Sequence, residues 1–342
     1  MCRPRAAADD ASESDATDGD EIEAAKALER PRCTNWSKDG LAKKWAQTRR
    51  RLLATPTRVP REHVSTLTRV AFANTYECKG GPPCIIDGCA KLFENVPPSI
   101  EALLQKYGET NFRVSDTHGA MVGLEVWYAY ASTTDDDAPF AIYDAEFADL
   151  GGFAYDVPRF LSEDAFALAN VDERPPWRWL LLGGPRSGTG VHVDPLYTHA
   201  WVYLVQGLKR WIFLPSHLSR DELRELGVGE PQLPSAQWFA KYRDAAAALP
   251  GTVELVQRPG ELVYVPAGRP HAVLNLEWSY ALTHNYAVLS DACVLSTSRE
   301  EPEFFDALRG TLPSSKARPV VRASVERYVT KRDAAALAVA AW

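Results

Sequence analysis

Between Trp177 and Val288 the chain is cut by Gly and Pro into short extended runs: "WRWLLLGG", "GVHVDP", "AWVYLVQG", "RWIFLP", "VELVQRPG", "ELVYVPAG", "HAVLNL" and "YALTHNYAVL". Runs this short, rich in aliphatic and aromatic residues and separated by turn signals, predict an antiparallel sandwich or barrel. An Ala-rich, helical stretch between Leu218 and Leu249 interrupts the series as an insertion between two strands would. The predicted fold class is therefore mainly β with flanking helices.

The remainder divides by composition. Residues 1–30 are rich in Asp, Glu, Ala and Ser without an aromatic residue, and read as a disordered acidic tail. Residues 31–170 read as an N-terminal helical and mixed region packing on the barrel, residues 171–290 as the barrel core, and residues 291–342 as a C-terminal helical region. Within the second, Asn35 to Ala54 and Ser99 to Gly108 have helical spacing, and "GGPPCIIDGCA" reads as a turn and a short buried strand. Periodicity does not separate strand from helix for "GLEVWYAYA", and Asp135, Asp136 and Asp137 read as an exposed turn. A net charge of -7 disfavours nucleic acid as a primary ligand, and the lack of a signal-like or spanning apolar run predicts an intracellular protein. The basic residues between Lys43 and Arg51 read as a solvated helix face. Six cysteines without a C-x-x-C pair fit reduced structural thiols better than a zinc knuckle.

The chemistry concentrates in "RSGTGVHVDP", Arg186 to Pro195. In a strand, residues i and i+2 share a face, so His192 and Asp194 point the same way and can share one metal ion. His271, after "PGELVYVPAGRP", is the best third ligand, and two imidazoles with one carboxylate form the set that holds Fe(II) while leaving open positions. His63, His118 and His217 read as surface or capping histidines; His199 lies off the shared face, and His284, between Thr283 and Asn285, points away from it. An oxo acid on such an iron carries a distal carboxylate that needs a buried cation. Strand alternation in "GLKRWIFLP" allows Lys209 to point inward and Arg210 outward, and equally allows a surface Lys209.

"GPRSGTGVHVDP", "AWVYLVQGLKRWIFLP", "PGELVYVPAG" and "HAVLNL" with "ALTHN" resemble the JmjC-domain Fe(II)/2-oxoglutarate oxygenases, and most closely the subgroup of lysyl hydroxylases and proposed arginine demethylases. The resemblance runs from about Gly80 to Val288, with "PRSGTG" its most specific part. It implies a double-stranded β-helix, the jelly-roll or cupin-like JmjC barrel. It also implies Fe(II) on His192, Asp194 and His271; 2-oxoglutarate carboxylate contacts from Lys209 and Thr283; a polar contact beside the cofactor from Asn285; and Thr189 at the pocket mouth. Further implications are a protein substrate oxidised with O2 at a lysine or a methylated residue, a nuclear location, and a homodimer formed through C-terminal helices. Three positions depart from the pattern: a carboxylate-holding tyrosine falls on Ala141, an asparagine on Val202, and the aromatic before the last metal ligand on Pro270. A non-catalytic scaffold of the same fold is the alternative reading; a small-molecule cupin is disfavoured because "HVDPLYTHAW" lacks an H-x-H pair and a nearby Glu.

Overall fold

The structure, a computed structural model, describes residues 18–288 apart from 56–58, 79, 115–118, 165, 167–175 and 230–231. His118 and the expected C-terminal dimerisation helices lie outside the described residues. The first half of the chain supplies helices α1 (Asp18–Glu29), α2 (Leu41–Ala54), α3 (Arg69–Thr75), α4 (Ile100–Tyr107) and α5 (Leu124–Thr133). It also supplies strands β1 (Arg61–His63), β2 (Cys84–Asp87), β3 (Asn111–Arg113), β4 (Met121–Gly123) and β5 (Ile142–Asp144). The second half carries β6 (Arg178–Gly183), β7 (Gly188–His192), β8 (His199–Gln206) and β9 (Lys209–Phe213). After the short insertion helices α6 (Arg220–Glu225), α7 (Ser235–Lys241) and α8 (Arg243–Ala247) come β10 (Val253–Gln257), β11 (Leu262–Val265), β12 (His271–Asn275) and β13 (Ser279–Tyr286).

A seven-stranded sheet, ordered β1-β2-β11-β8-β13-β6-β5, lies against a four-stranded sheet, ordered β10-β9-β12-β7. The alternation of each strand explains why both sheets are needed. Ala200, Val202 and Leu204 of β8, Trp211 and Phe213 of β9, Val273 of β12 and Ala281 of β13 meet in one inner core between the sheets. Their neighbours face outward: Trp201, Tyr203, Tyr280 and Leu282 bury against the N-terminal helices, whereas Ile212, Ala272 and Leu274 bury beneath α2 and the insertion helices. Helices thus cover the outer face of each sheet, giving the expected jelly-roll with flanking helices. No helix among the described residues is long and apolar enough to cross a membrane.

The N-terminal region does more than pack on the barrel. Strands β1, β2 and β5 belong to the seven-stranded sheet: β2 pairs antiparallel with β11, and β5 with β6. The ambiguous "GLEVWYAYA" is helix α5, because Leu124, Trp127 and Ala131 form a buried stripe and the Trp127 indole donates to the Phe140 carbonyl at 3.1 Å. Asp136 and Asp137, expected on an exposed turn, are buried. Asp136 pairs with Lys26 at 3.0 Å, and Asp137 accepts the backbone N–H groups of Asp39 and Leu41 at 2.7 and 2.6 Å, closing the start of α2.

The acidic tail is also corrected, since its residues from Asp18 onward form α1. Ile22 and Ala25 are buried. Two of the acids that suggested disorder are structural acceptors: Glu21 takes the Gly123 N–H at 2.7 Å and Glu29 the Ala120 N–H at 2.9 Å. A carboxylate aimed at a backbone donor near β4 offsets its own desolvation. Burying a charge at the apolar anchor of this helix, by Ile22→Asp, is expected to cost about 2–4 kcal/mol of unfolding free energy. Urea denaturation followed by far-UV circular dichroism measures it; an unchanged midpoint would mean that α1 does not dock.

Candidate metal centre and its cavity

The glycine-rich turn acts first on the backbone. Gly188, at φ 137, lies so close to β12 that an added Cβ would sit 2.2 Å from the Val273 carbonyl oxygen. Just before it, Arg186 takes the left-handed region at φ 74, held by guanidinium hydrogen bonds to the carbonyls of Asp136 and Thr134 at 3.0 and 2.8 Å. Strands β7 and β12 pair antiparallel with His192 opposite His271, but Val273 stands opposite Thr189, so the register shifts between these pairs. The extra residue is a β-bulge in β7. It brings Thr189 and His192 to the same inner face although they are three apart in sequence, a spacing that a regular strand would send to opposite faces.

His192 ends β7, and Asp194 follows in extended geometry at φ -57 and ψ 145, before a single 3-10 turn over Pro195–Tyr197. The ligand atoms of His192, Asp194 and His271 all lie within 4.8 Å of one another. Asp194 Oδ1 stands 3.6 Å from His192 Nε2 and 4.0 Å from His271 Nε2, and the two imidazole centroids are 4.3 Å apart. Each Nδ1–H donates to a backbone carbonyl, His192 to Gly190 and His271 to Arg269, both at 2.9 Å. That bond fixes the tautomer with an Nε2 lone pair turned to the shared centre. Burial, assisted by His192, pushes His271 down to about 4, so its ring is a neutral donor. Burial disfavours the Asp194 carboxylate, yet the neighbouring imidazoles and a hydrogen bond from Asn285 hold it below its ordinary value. Its Oδ2 is buried without a hydrogen-bond partner. A buried, ionised carboxylate with an unsatisfied oxygen beside two oriented imidazoles fits a divalent iron, and two nitrogens plus one oxygen leave coordination positions for other ligands.

Along the same strands from this triad is a cavity lined by Lys209, Asn275, Thr189, Tyr143, Val202 and Trp211, among others. Lys209 is the single charged residue of the described lining. It points inward and is 4% exposed; its ammonium donates to Asn275 Oδ1 at 2.7 Å, and Asn275 in turn donates to Ser187 Oγ at 2.9 Å. Burial pushes this lysine down to about 7. Arg210 faces the other way but is itself buried, paired with Glu254 at 3.0 Å beneath the outer helices.

The other expected residues fall into different places. Thr189 lines the cavity, its hydroxyl 2.9 Å from that of Tyr143. Thr283 is on the inner face of β13, but its hydroxyl donates to the Trp201 carbonyl at 3.0 Å. Asn285 donates to Thr198 Oγ1 at 2.8 Å and hydrogen-bonds Asp194, so it orients a ligand of the triad. Ala141 and Val202 both line the cavity, and Pro270 is spaced from it by its carbonyl bond to the Leu214 N–H at 2.8 Å. His199 is buried on the outer face, where Nδ1 sits 2.7 Å from the Tyr264 hydroxyl and accepts the Ala267 N–H at 3.1 Å. His284 also turns outward, bonded to the Tyr155 hydroxyl, and burial with help from Arg178 pushes it down to about 3. His63 and His217 are exposed. Among the described cysteines all are free, and Cys84 and Cys89 are buried thiols pushed well up by desolvation.

Sequence reasoning missed Asn275 and Tyr143. Asn275 carried a signal: it is the polar residue on the face that His271 and Val273 share in "HAVLN". Because Asn285 orients Asp194, Asn285→Ala is expected to weaken divalent-metal binding about 10- to 100-fold. Asp194→Ala is expected to abolish it. Equilibrium titration with Co(II), read through its visible bands, measures both, and equal affinities in wild type and Asn285→Ala would deny Asn285 that role.

Comparison with known proteins bears on this geometry. Residues 179–286 match the family described as "JmjC domain, hydroxylase". The bifunctional arginine demethylase and lysyl-hydroxylase psr-1 of Caenorhabditis elegans is 36% identical over 203 residues, which cover 55% of this chain and 51% of that protein. The lysine-specific demethylase JMJ21 of Arabidopsis thaliana is 33% identical over 233 residues, 63% of this chain and 24% of that protein. The 2-oxoglutarate and iron-dependent oxygenase JMJD4 of Danio rerio is 28% identical over 142 residues, 39% of this chain and 32% of that protein. The chain spans about half or less of the length of these curated relatives. The segment that matches the JmjC domain, residues 179–286, is the one that carries the triad and the inward lysine.

Proposed function

We propose that the chain is an Fe(II)- and 2-oxoglutarate-dependent protein hydroxylase, with lysyl hydroxylation as its reaction and N-methyl-arginine or N-methyl-lysine demethylation as the second reading. The observation that carries it is the convergence of His192, Asp194 and His271 beside a cavity whose one described charge is Lys209. A site for metal alone does not need a buried ammonium; a metal-chelating oxo acid with a distal carboxylate does. When bound, the iron and oxo acid supply the oxidising chemistry, in which O2 is consumed, the oxo acid becomes succinate and CO2, and one oxygen atom enters a substrate C–H bond.

The residues of the chain have distinct tasks. Nε2 of each histidine and the Asp194 carboxylate hold the metal, while the carbonyls of Gly190 and Arg269 keep the rings from rotating. Lys209 pairs with the distal carboxylate and Asn275 keeps its ammonium in place. Trp211, Val202 and Val273 make the walls apolar, which excludes water and strengthens that pairing. A hydroxylated lysyl methylene is stable, whereas a hydroxylated N-methyl group is a carbinolamine that breaks its C–N bond, releasing formaldehyde and leaving the nitrogen with a proton. The psr-1 relative carries both activities in its name, which supports keeping the two readings together.

The test is an anaerobic visible spectrum of the protein titrated with Fe(II) and then 2-oxoglutarate. A charge-transfer band that requires both, and is missing in Asp194→Ala, is the expected result. A folded wild type without the band would overturn the proposal. Mass spectrometry of peptides after turnover separates the readings, by oxygen gained on lysine or methyl lost.

A pH dependence follows from Lys209. An anion favours the charged ammonium, so above about 7 binding of 2-oxoglutarate must take up a proton. Affinity is expected to be flat below that value and to fall about tenfold per pH unit above it, until the ammonium of the complex itself titrates. Calorimetric titrations in buffers of different ionisation enthalpy measure the uptake, and a pH-independent affinity from 7 to 9 would contradict it.

A further inference from the structure

Strand β5 enters the cavity from outside the barrel series. It pairs antiparallel with β6, with Tyr143 opposite Leu181 and Ile142 opposite Leu182. Residues i and i+2 share a face of a strand, and Ala141, just before β5, and Tyr143, its second residue, both line the cavity. Ala141 has no polar atom to offer. Across the cavity Val202 offers none, and the Thr283 hydroxyl is committed to the Trp201 carbonyl.

Among the described lining residues Lys209 is the one cation, facing a wall in which the polar groups are Asn275, Thr189 and Tyr143. Asn275 Oδ1 already accepts from the ammonium. Thr189 Oγ1 and Tyr143 Oη are 2.9 Å apart. A hydroxyl accepts and donates at once, so Tyr143 can take the Thr189 proton and direct its own at an anion. Neither Ala141 nor Val202 can do so.

We propose that Tyr143, backed by Thr189, is the hydroxyl donor that selects for a distal carboxylate in this cavity, one strand repeat along from Ala141, where the resemblance had placed a tyrosine. The proposal rests on the 2-oxoglutarate reading and adds to it a specificity-determining residue. Alanine at position 141 therefore does not leave the lysine without help.

The experiment compares two oxo acids on the anaerobic Fe(II) protein, 2-oxoglutarate and 2-oxobutyrate, which differ by the distal carboxylate. Dissociation constants are read from the charge-transfer band in wild type and in Tyr143→Phe. Loss of one hydrogen bond to a charged group is expected to weaken 2-oxoglutarate about tenfold or more while leaving 2-oxobutyrate unchanged, so that the preference between them collapses by the same factor. An unchanged preference in Tyr143→Phe would overturn the proposal and leave the oxygenase reading intact. Equal weakening of both acids would also overturn it, since that is what a merely structural tyrosine would do. A wild type that gives no band with either acid would overturn the oxygenase reading and this proposal with it.

Discussion

The antiparallel pairing of β7 with β12 is the constraint on which the site depends. His192 and His271 stand opposite one another in that ladder, and their centroid separation of 4.3 Å follows from the strand spacing. A pairing slipped by one residue would turn one imidazole to the outer face, under α7. Gly188 permits the close approach to Val273, and the bulge after Thr189 lets one short strand serve two purposes. It lines the cavity with Thr189 and supplies a metal ligand with His192, while Val191 between them packs into the outer core.

That arrangement carries an energetic penalty at Lys209. A lysine pushed from 10.5 to about 7 by burial makes the fold less stable by about 5 kcal/mol at pH 7 and below, relative to a lysine left in water. Between those two values the unfolded chain binds more protons than the native one, so this contribution to stability improves as the pH rises from 7 towards 10.5. Evolution of a stable barrel alone would place an apolar residue here, as it does at Trp211 and Phe213 on the same face of β9. An anion seated on the ammonium offsets the cost. The destabilised lysine and the ligand's affinity are therefore two sides of one electrostatic term, and the Asn275 hydrogen bond keeps the ammonium oriented in both states.

Much of this was legible in the residues because strand alternation is strict. Inward Ala200, Val202 and Leu204 against outward Trp201 and Tyr203 follow from the period of two, and so does outward His284, whereas alternation alone left Lys209 free to face either way. The proximity of His192 and Asp194 was legible for the same reason, although β7 has already ended at His192 and Asp194 reaches the centre from the extended residues after it. What was not legible depends on contacts distant in sequence. Glu21 and Glu29 look like disordered acids until β4 presents two backbone donors, and Asp137 looks exposed until α2 begins against it. The bulge breaks the period of two, so the face that Thr189 shares with His192 was legible only once its partner Val273 was known.

The family match begins at residue 179, yet the cavity wall does not. Ala141 and Tyr143 come from β5, a strand held in place by β6 on one side and by the helices that cover the seven-stranded sheet. Lys209 of β9 and His271 of β12 stand in strands paired on both sides, whereas His192 ends β7, which among the described strands pairs with β12 alone. The edge strand β5 has one strand neighbour in the sheet, so a polar side chain can shift by one repeat along it without disturbing a second ladder. The inward lysine is held where two ladders constrain it, and the side chains of Ala141 and Tyr143 stand at the sheet edge, where exchanging them alters the hydrogen bonding of the cavity wall more than it alters the fold.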